Sequence, residues 1–351
     1  MAEREKPEPA LGVKKKMIIR IIFLLFIFVA PGILRADNAA AIEALMAQHD
    51  EALQIITEVC PNISEGIRRL KVMAGVSIVG GSVGIAGGTT AIVMGYLKAK
   101  EDRDLLRQEQ YMREYAQRME EIANEIEAMS PEEFFLFIAT QVEFERWLEA
   151  NRAHAAGMAR SQMFGNIRTG AAFVAGAGHI VSATSAFLVG HGGNFGDLLD
   201  ALESDMRECN NAAETIMYVR NSLSLMHGAD FNHLARLSSI AENCGGFNPE
   251  NVQSIRNRMR AAGWVHAAGA ATGIAGGITS AIAVRQEGAS PVALGARDAA
   301  DGGTRQLNIA ANALAVGTAV TAIAGTIVSG TTLALLNRNE RSADACARAL
   351  F

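Results

Sequence analysis

The sequence predicts an all-α, multi-spanning helical membrane bundle, and three observations carry that expectation. Four stretches, 72–97, 169–196, 261–284 and 306–337, contain no Asp, Glu, Lys or Arg. Each matches or exceeds the roughly 20 residues that cross a bilayer as a helix. Their bulk is Gly, Ala, Val, Ile, Ser and Thr rather than Leu and Phe, a composition suited to helices packed closely on other helices. Finally, the chain carries 34 Gly but only 7 Pro and 6% aromatic residues, and its 50% hydrophobic and 20% charged content is divided into sharply alternating blocks. The mean hydropathy of +0.15 averages over that alternation.

The elements follow in order. Lys14, Lys15, Lys16 and Arg20 precede an apolar run over 21–30, Pro31 and Gly32 are expected to break any helix, and Ala36 supplies a small residue before a cleavage point. This is the pattern of a signal peptide over 1–36, with Met17 as an alternative start. It predicts a chain sent through the secretory pathway to a membrane, the cell envelope if the source is bacterial. The mature chain then divides into two units. The first, 37–196, has an outer helix, a span over 72–97, a coiled helical hairpin outside the membrane over 98–168, and a span over 169–196. The second, 197–351, has outer helices over 197–260, a span over 261–284, a flexible link over 285–305, a span over 306–337 and a tail.

Within the hairpin, Leu105, Met112, Met119 and Ile126 recur every seven residues, with Tyr115, Ile122 and Met129 between them. This is an apolar seam with one polar exception, Gln108. Ser130-Pro131-Glu132-Glu133 then marks a new helix start, and Phe134, Phe135, Phe137, Ile138, Val142, Phe144 and Trp147 give it an apolar side.

The two units are weakly repeated. IRRLKVMAGVSIVGGSVGIAGGTTAIV from Ile67 aligns with IRNRMRAAGWVHAAGAATGIAGGITSAIAV from Ile255 on the shared GIAGG. Gly80, Gly84 and Gly88 then fall on Gly269, Gly273 and Gly277. Residues four apart share a helix face, so each series forms a stripe on which a second helix can approach closely. Gly317 and Gly325 continue such a stripe in the fourth segment. These glycines are the candidate helix-packing residues of a glycine zipper.

Cys60, Cys209, Cys244 and Cys346 are the disulfide candidates. If all four segments cross, every cysteine falls on the exported side, where disulfides form. Their even number allows two bonds in three connectivities. No Cys/His set has metal-ligand spacing, so no metal is expected. His179 and His266 lie inside charge-free segments, where an ionisable side chain is a functional candidate by default.

The sequence holds no P-loop, HExxH or nucleophile elbow, so neither an enzyme nor a cofactor is expected. The net charge of −5 argues against nucleic acid as a partner. The expected partners are the lipid bilayer and either further copies of this chain or other membrane proteins. The expected role is structural or interaction-based in a membrane assembly. A secreted pore-forming or membrane-permeabilising protein is the first alternative, and a channel or transporter using His179 and His266 is the second.

Overall fold

A computed structural model describes residues 12–126, 130, 132, 141–191, 193–225, 230–289 and 297–350. Among them there are six helices and no strand. They are α1 (Gly12–Ile126), α2 (Gln141–Gly190), α3 (Asn194–Ser224), α4 (Phe231–Cys244), α5 (Glu250–Ala289) and α6 (Arg297–Leu350). Four of these, α1, α2, α5 and α6, are long and apolar enough to cross a membrane.

The chain forms two compact units, each drawing on both halves of the sequence. Unit 1 gathers Met1–Glu65, Glu203–Pro249 and Asn339–Phe351; unit 2 gathers Gly66–Leu202 and Glu250–Arg338.

Unit 1 is packed like a water-soluble helical domain. On α1, Leu45, His49, Ala52, Ile56, Cys60 and Ile63 are all buried and recur every three to four residues, so they line one helix face. On α3 the buried residues of this unit are Met206, Cys209, Ala212, Ala213, Ile216 and Val219, and on α4 they are Leu234, Leu237, Ile240, Ala241 and Cys244. Asp230 caps α4 by accepting from Asn232 N at 2.9 Å. The break after α4 is held by Gly245 N donating to Ala241 O and by Asn210 Nδ2 donating to Phe247 O, both 2.9 Å.

Unit 2 has a core of another kind. Its buried residues include Ala74, Ser77, Ala91, Ala172, Ala175, Ser182, Ala186, Ala262, Ser280, Ala315, Thr318, Ala322 and Ser329. Ala91, Ala172 and Ala315 meet where α1, α2 and α6 converge. Small side chains let the backbones close up, and buried hydroxyls bridge helices: Ser77 and Ser329 Oγ are 2.9 Å apart, and Ser182 Oγ donates to Ser77 O at 2.8 Å. The large apolar residues of the same segments point outward. Val72 is 62% exposed, Val79 65%, Ile309 60% and Ile327 61%.

The structure corrects three boundaries. First, α1 runs without a break through Pro31 and Gly32. A proline in a helix removes one backbone hydrogen bond and strains the preceding turn, and here the helix continues past it. Second, the link expected over 285–305 is narrower. α5 reaches Ala289 and α6 starts at Arg297, because the helix propagates through Ala299 and Ala300 and carries Gly302 and Gly303 with it. Third, the segment 169–196 ends as a helix at Gly190, and Gly193, at φ 76°, makes the turn into α3.

The hairpin helices do run unbroken into the adjoining apolar segments, as expected. They pack on each other through stacked Tyr115 and Trp147 rings, 6.1 Å between centroids, and through a buried His154–Glu109 contact at 3.1 Å. Leu105 of the expected seam is buried, and Gln108, Met112 and Tyr115 are half-buried. Of the expected start of the second hairpin helix, Ser130 and Glu132 are exposed, while Pro131, Glu133 and phenylalanines 134, 135 and 137 lie outside the described residues.

Candidate functional site

Unit 2 holds two polar centres inside an otherwise apolar bundle. The first is the histidine pair. His179 on α2 and His266 on α5 are both fully buried, with ring centroids 5.3 Å apart. His179 Nε2 lies 3.1 Å from Thr318 O, and His179 Nδ1 lies 3.1 Å from His266 Nδ1. A carbonyl only accepts, so His179 carries its proton on Nε2 and its Nδ1 is the acceptor. His266 must then donate from Nδ1, which leaves its Nε2 unprotonated. That atom is buried, with the Gly325 backbone beside it.

Glycines make room for the two rings. A Cβ on Gly84 would stand 3.1 Å from His179 Nε2, and one on Gly81 would stand 3.1 Å from His266 Cε1. Gly269 lies directly against the His179 ring, and Gly325 against the His266 ring. The other sequence-selected glycines face helix backbones or flat side chains. A Cβ on Gly80 would meet Gly178 O at 2.7 Å, and one on Gly273 would meet Gly176 at 2.9 Å. The corresponding distance is 3.1 Å from Gly88 to Ala319 and 3.0 Å from Gly277 to the Phe173 ring. Gly317 has only Thr272, at an ordinary 3.8 Å. The α5 stripe therefore addresses α2, whereas the α1 stripe passes from α2 at Gly80 to α6 at Gly88.

The second centre was not anticipated from the sequence. Lys98 and Arg168 border charge-free segments and read as solvated flanks, yet each is only 1% exposed. Lys98 Nζ donates to Asp102 Oδ2 at 2.8 Å, Ser161 Oγ at 3.1 Å and Glu287 Oε1 at 2.8 Å, which uses all three of its protons. Ser161 passes its own proton to Asp102 Oδ1 at 2.5 Å. Glu287 Oε1 also accepts from Asn308 Nδ2 at 3.0 Å, and Asn308 Oδ1 accepts from Arg168 Nη2 at 2.7 Å. Arg168 Nε donates to Ser280 Oγ at 2.8 Å, and the Ser280 and Thr169 hydroxyls are 2.8 Å apart.

One continuous network thus links α1, α2, α5 and α6. Two cations are balanced by two carboxylates, and the carboxylates keep partial access to water, with side-chain exposures of 35% for Asp102 and 26% for Glu287. Buried charges persist when they are paired and hydrogen-bonded in this way. The signal missed in the sequence was that Lys98, Arg168 and Glu287 flank three different charge-free segments.

In unit 1 the structure selects one connectivity of three, pairing Cys60 with Cys209 and Cys244 with Cys346, with Cα–Cα distances of 6.6 and 4.5 Å. The sulfurs of Cys60, Cys209 and Cys346 lie within 4.8 Å of one another. Sequence spacing could not show this convergence, because the cysteines come from four helices. No family model, curated protein sequence or solved structure matches this chain.

Proposed function

We propose that this chain is an exported integral membrane protein with a structural or interaction role in a membrane assembly, its four spans held together by glycine-zipper packing. The observation that carries this reading is the inverted pattern of unit 2. Its interior is Ala, Gly, Ser, Thr and His, while Val72, Val79, Val174, Ile309 and Ile327 project outward. In water such a surface would be an aggregation hazard; in lipid it is the expected one, with small residues at helix contacts. Tyr96 and Trp264, both 64% exposed near segment ends, suit the membrane–water interface.

Parity supports the sidedness. With four crossings, 37–65, 203–249 and 339–351 fall on one side, and these stretches are the ones gathered in unit 1. Both disulfides belong to that unit, which fits export to an oxidising compartment by way of an N-terminal signal. The coiled hairpin on the opposite side offers a surface for further copies or for other membrane proteins.

The test is an alkaline carbonate wash of native membranes, followed by detergent. The protein is expected to stay in the pellet until detergent is added. Release by carbonate alone would overturn the integral reading. Leakage of liposomes on addition of purified protein would favour the membrane-permeabilising alternative instead.

A second reading, a channel or transporter, is favoured by one specific feature, the buried His179–His266 pair. It predicts that His179→Gln with His266→Gln abolishes a flux measurable in proteoliposomes; an unchanged flux would sink it.

A further inference from the structure

The cysteines of unit 1 stand on four different helices: Cys60 on α1, Cys209 on α3, Cys244 on α4 and Cys346 on α6. None is more than 3% exposed. Their two disulfides touch, with Cys346 Sγ 3.2 Å from Cys60 Sγ. Cys60, Cys209 and Cys346 place their sulfurs within 4.8 Å of one another, and Cys244 is bonded to Cys346. Three sulfurs therefore share one point in the fold, and the fourth is bonded to one of them.

Stapling alone does not call for this. A disulfide stabilises by closing a loop, and it does so wherever along the helices it sits. Two staples side by side constrain one neighbourhood twice. Three converging cysteine sulfurs, with a fourth bonded to one of them, supply the ligand set of a tetrahedral thiolate centre. With Zn–S about 2.3 Å, the sulfurs of such a centre stand about 3.8 Å apart, inside the 4.8 Å that spans Cys60, Cys209 and Cys346. The surroundings are suitable too: Ile56 and Ile63 lie one turn to either side of Cys60, Met206 lies a turn before Cys209 and Ile240 a turn before Cys244, and all are buried. A closed, apolar shell of this kind is typical of structural rather than catalytic metal sites.

We infer that unit 1 contains a redox-dependent zinc site, in which Cys60, Cys209, Cys244 and Cys346 bind one Zn²⁺ as thiolates when reduced and form the two disulfides when oxidised. Loading requires a dithiol reductant. Two dithiols are oxidised to their disulfides, and four electrons and four protons open both protein S–S bonds to four thiols. Zn²⁺ then displaces the four thiol protons as it binds. In the reverse direction, two equivalents of a disulfide oxidant take four electrons from the thiolates, the Cys60–Cys209 and Cys244–Cys346 bonds form, and Zn²⁺ leaves. The inference rests on unit 1 alone and is independent of how the bundle behaves in a membrane.

The test uses the full chain in detergent, reduced with a phosphine under anaerobic conditions and titrated with Co²⁺. The expected result is a tetrahedral d–d spectrum with a thiolate-to-cobalt charge-transfer band, saturating at one Co²⁺ per chain and displaced by Zn²⁺. Addition of a disulfide oxidant is expected to abolish the band. Cys244→Ser and Cys60→Ser are each expected to remove charge-transfer intensity and to weaken Co²⁺ binding by more than about tenfold, since even changes in the outer shell of a metal site cost that much. A reduced chain that keeps its helical circular dichroism and gives no charge-transfer band overturns the inference, as does binding that the serine variants leave unchanged. If reduction unfolds unit 1, Co²⁺ or Zn²⁺ is expected to restore the helical signal; failure to do so is equally decisive against it.

Discussion

Units 1 and 2 share α1, α3 and α6 but are built by opposite rules. In unit 1, Ile56, Ile63, Met206, Ile216 and Leu237 are inside, and the polar residues between them face out, so removal of aliphatic surface from water drives packing. Along the apolar segments of unit 2 the interior is mainly Ala, Ser, Gly, Thr and His, and most large aliphatic side chains are outside, while buried ones such as Val189, Val284 and Leu336 stand near the segment ends. There the packing free energy must come from close backbone contact and buried hydrogen bonds. The difference shows up in the cross-links as well, covalent in one unit and hydrogen-bonded in the other. Unit 1 is cross-linked by both disulfides, whereas unit 2 is cross-linked by the Lys98–Glu287–Asn308–Arg168 network. It also explains why α1 can be one helix and still serve both units: its buried face changes from Ile56 and Ile63 to Ala74, Ser77 and Ala91.

The sharpest way to break the comparison is to add volume. Gly80→Leu drives a side chain into the Gly178 carbonyl, 2.7 Å from the nearest Cβ position. Backbone cannot yield there, so the loss is expected to reach about 3 kcal/mol or more and to abolish a folded bundle in detergent thermal melts. Gly75 and Gly170 have nothing within 4 Å. Gly75→Ala and Gly170→Ala are therefore expected to be neutral, or stabilising by up to about 1 kcal/mol through helix propensity. Equal losses at the two kinds of site would mean that close approach is not what organises unit 2.

The charge network comes next. Lys98→Met leaves Glu287 with an uncompensated charge next to the bundle, and breaking such a buried pair costs about 3–5 kcal/mol; partial access of Glu287 to water sets the expectation at the lower end. Adding Glu287→Gln to Lys98→Met is expected to recover part of the loss in the same melts. No recovery would show that Lys98 acts through packing of its stem and not through its charge.

Much of this architecture was legible because it rests on local rules. Charge-free length marks the four apolar segments, and Gly245 and Pro249 mark the break that the structure places between α4 and α5. What was not legible depends on partners far away in sequence. Lys98, Arg168 and Glu287 look like ordinary flanks until three helix ends meet. The regular spacing of Gly84 and Gly269 predicts a smooth stripe, and nothing local says that an imidazole fills it. The convergence of Cys60, Cys209, Cys244 and Cys346 has no spacing signature, because each comes from its own helix. Pro31 misled because a local rule about one missing hydrogen bond was outweighed by the helix on either side of it.

Unit 1 can be perturbed separately. Cys209→Ser opens the Cys60–Cys209 bond, which joins residues 149 apart in sequence. Loss of a native disulfide typically costs about 2–4 kcal/mol. Hydrogen exchange is expected to accelerate in α3 and α4 while the Ala91, Ala172 and Ala315 region of unit 2 stays protected. Equal acceleration in both would show one cooperative unit instead of two.

The smallest effect expected is electrostatic. Asp205 lies on α3 in unit 1, and burial, assisted by the nearby Glu208 carboxylate, holds its pKa above the ordinary aspartate value. The folded state therefore keeps the proton that the unfolded state gives up near pH 3.8. Between these two titrations folding is linked to proton uptake, so stability contributed at low pH is lost as pH rises through the folded pKa. Asp205→Asn removes the charge without changing the shape. At neutral pH it is expected to slow exchange in α3 slightly, and near pH 3 to have almost no effect, when the wild-type carboxyl is itself neutral. A substitution that destabilises unit 1 at pH 7 would mean that the Asp205 carboxylate has a stabilising partner on the surface of unit 1. The contrast with unit 2, where charges are paired inside, would then have to be drawn less sharply.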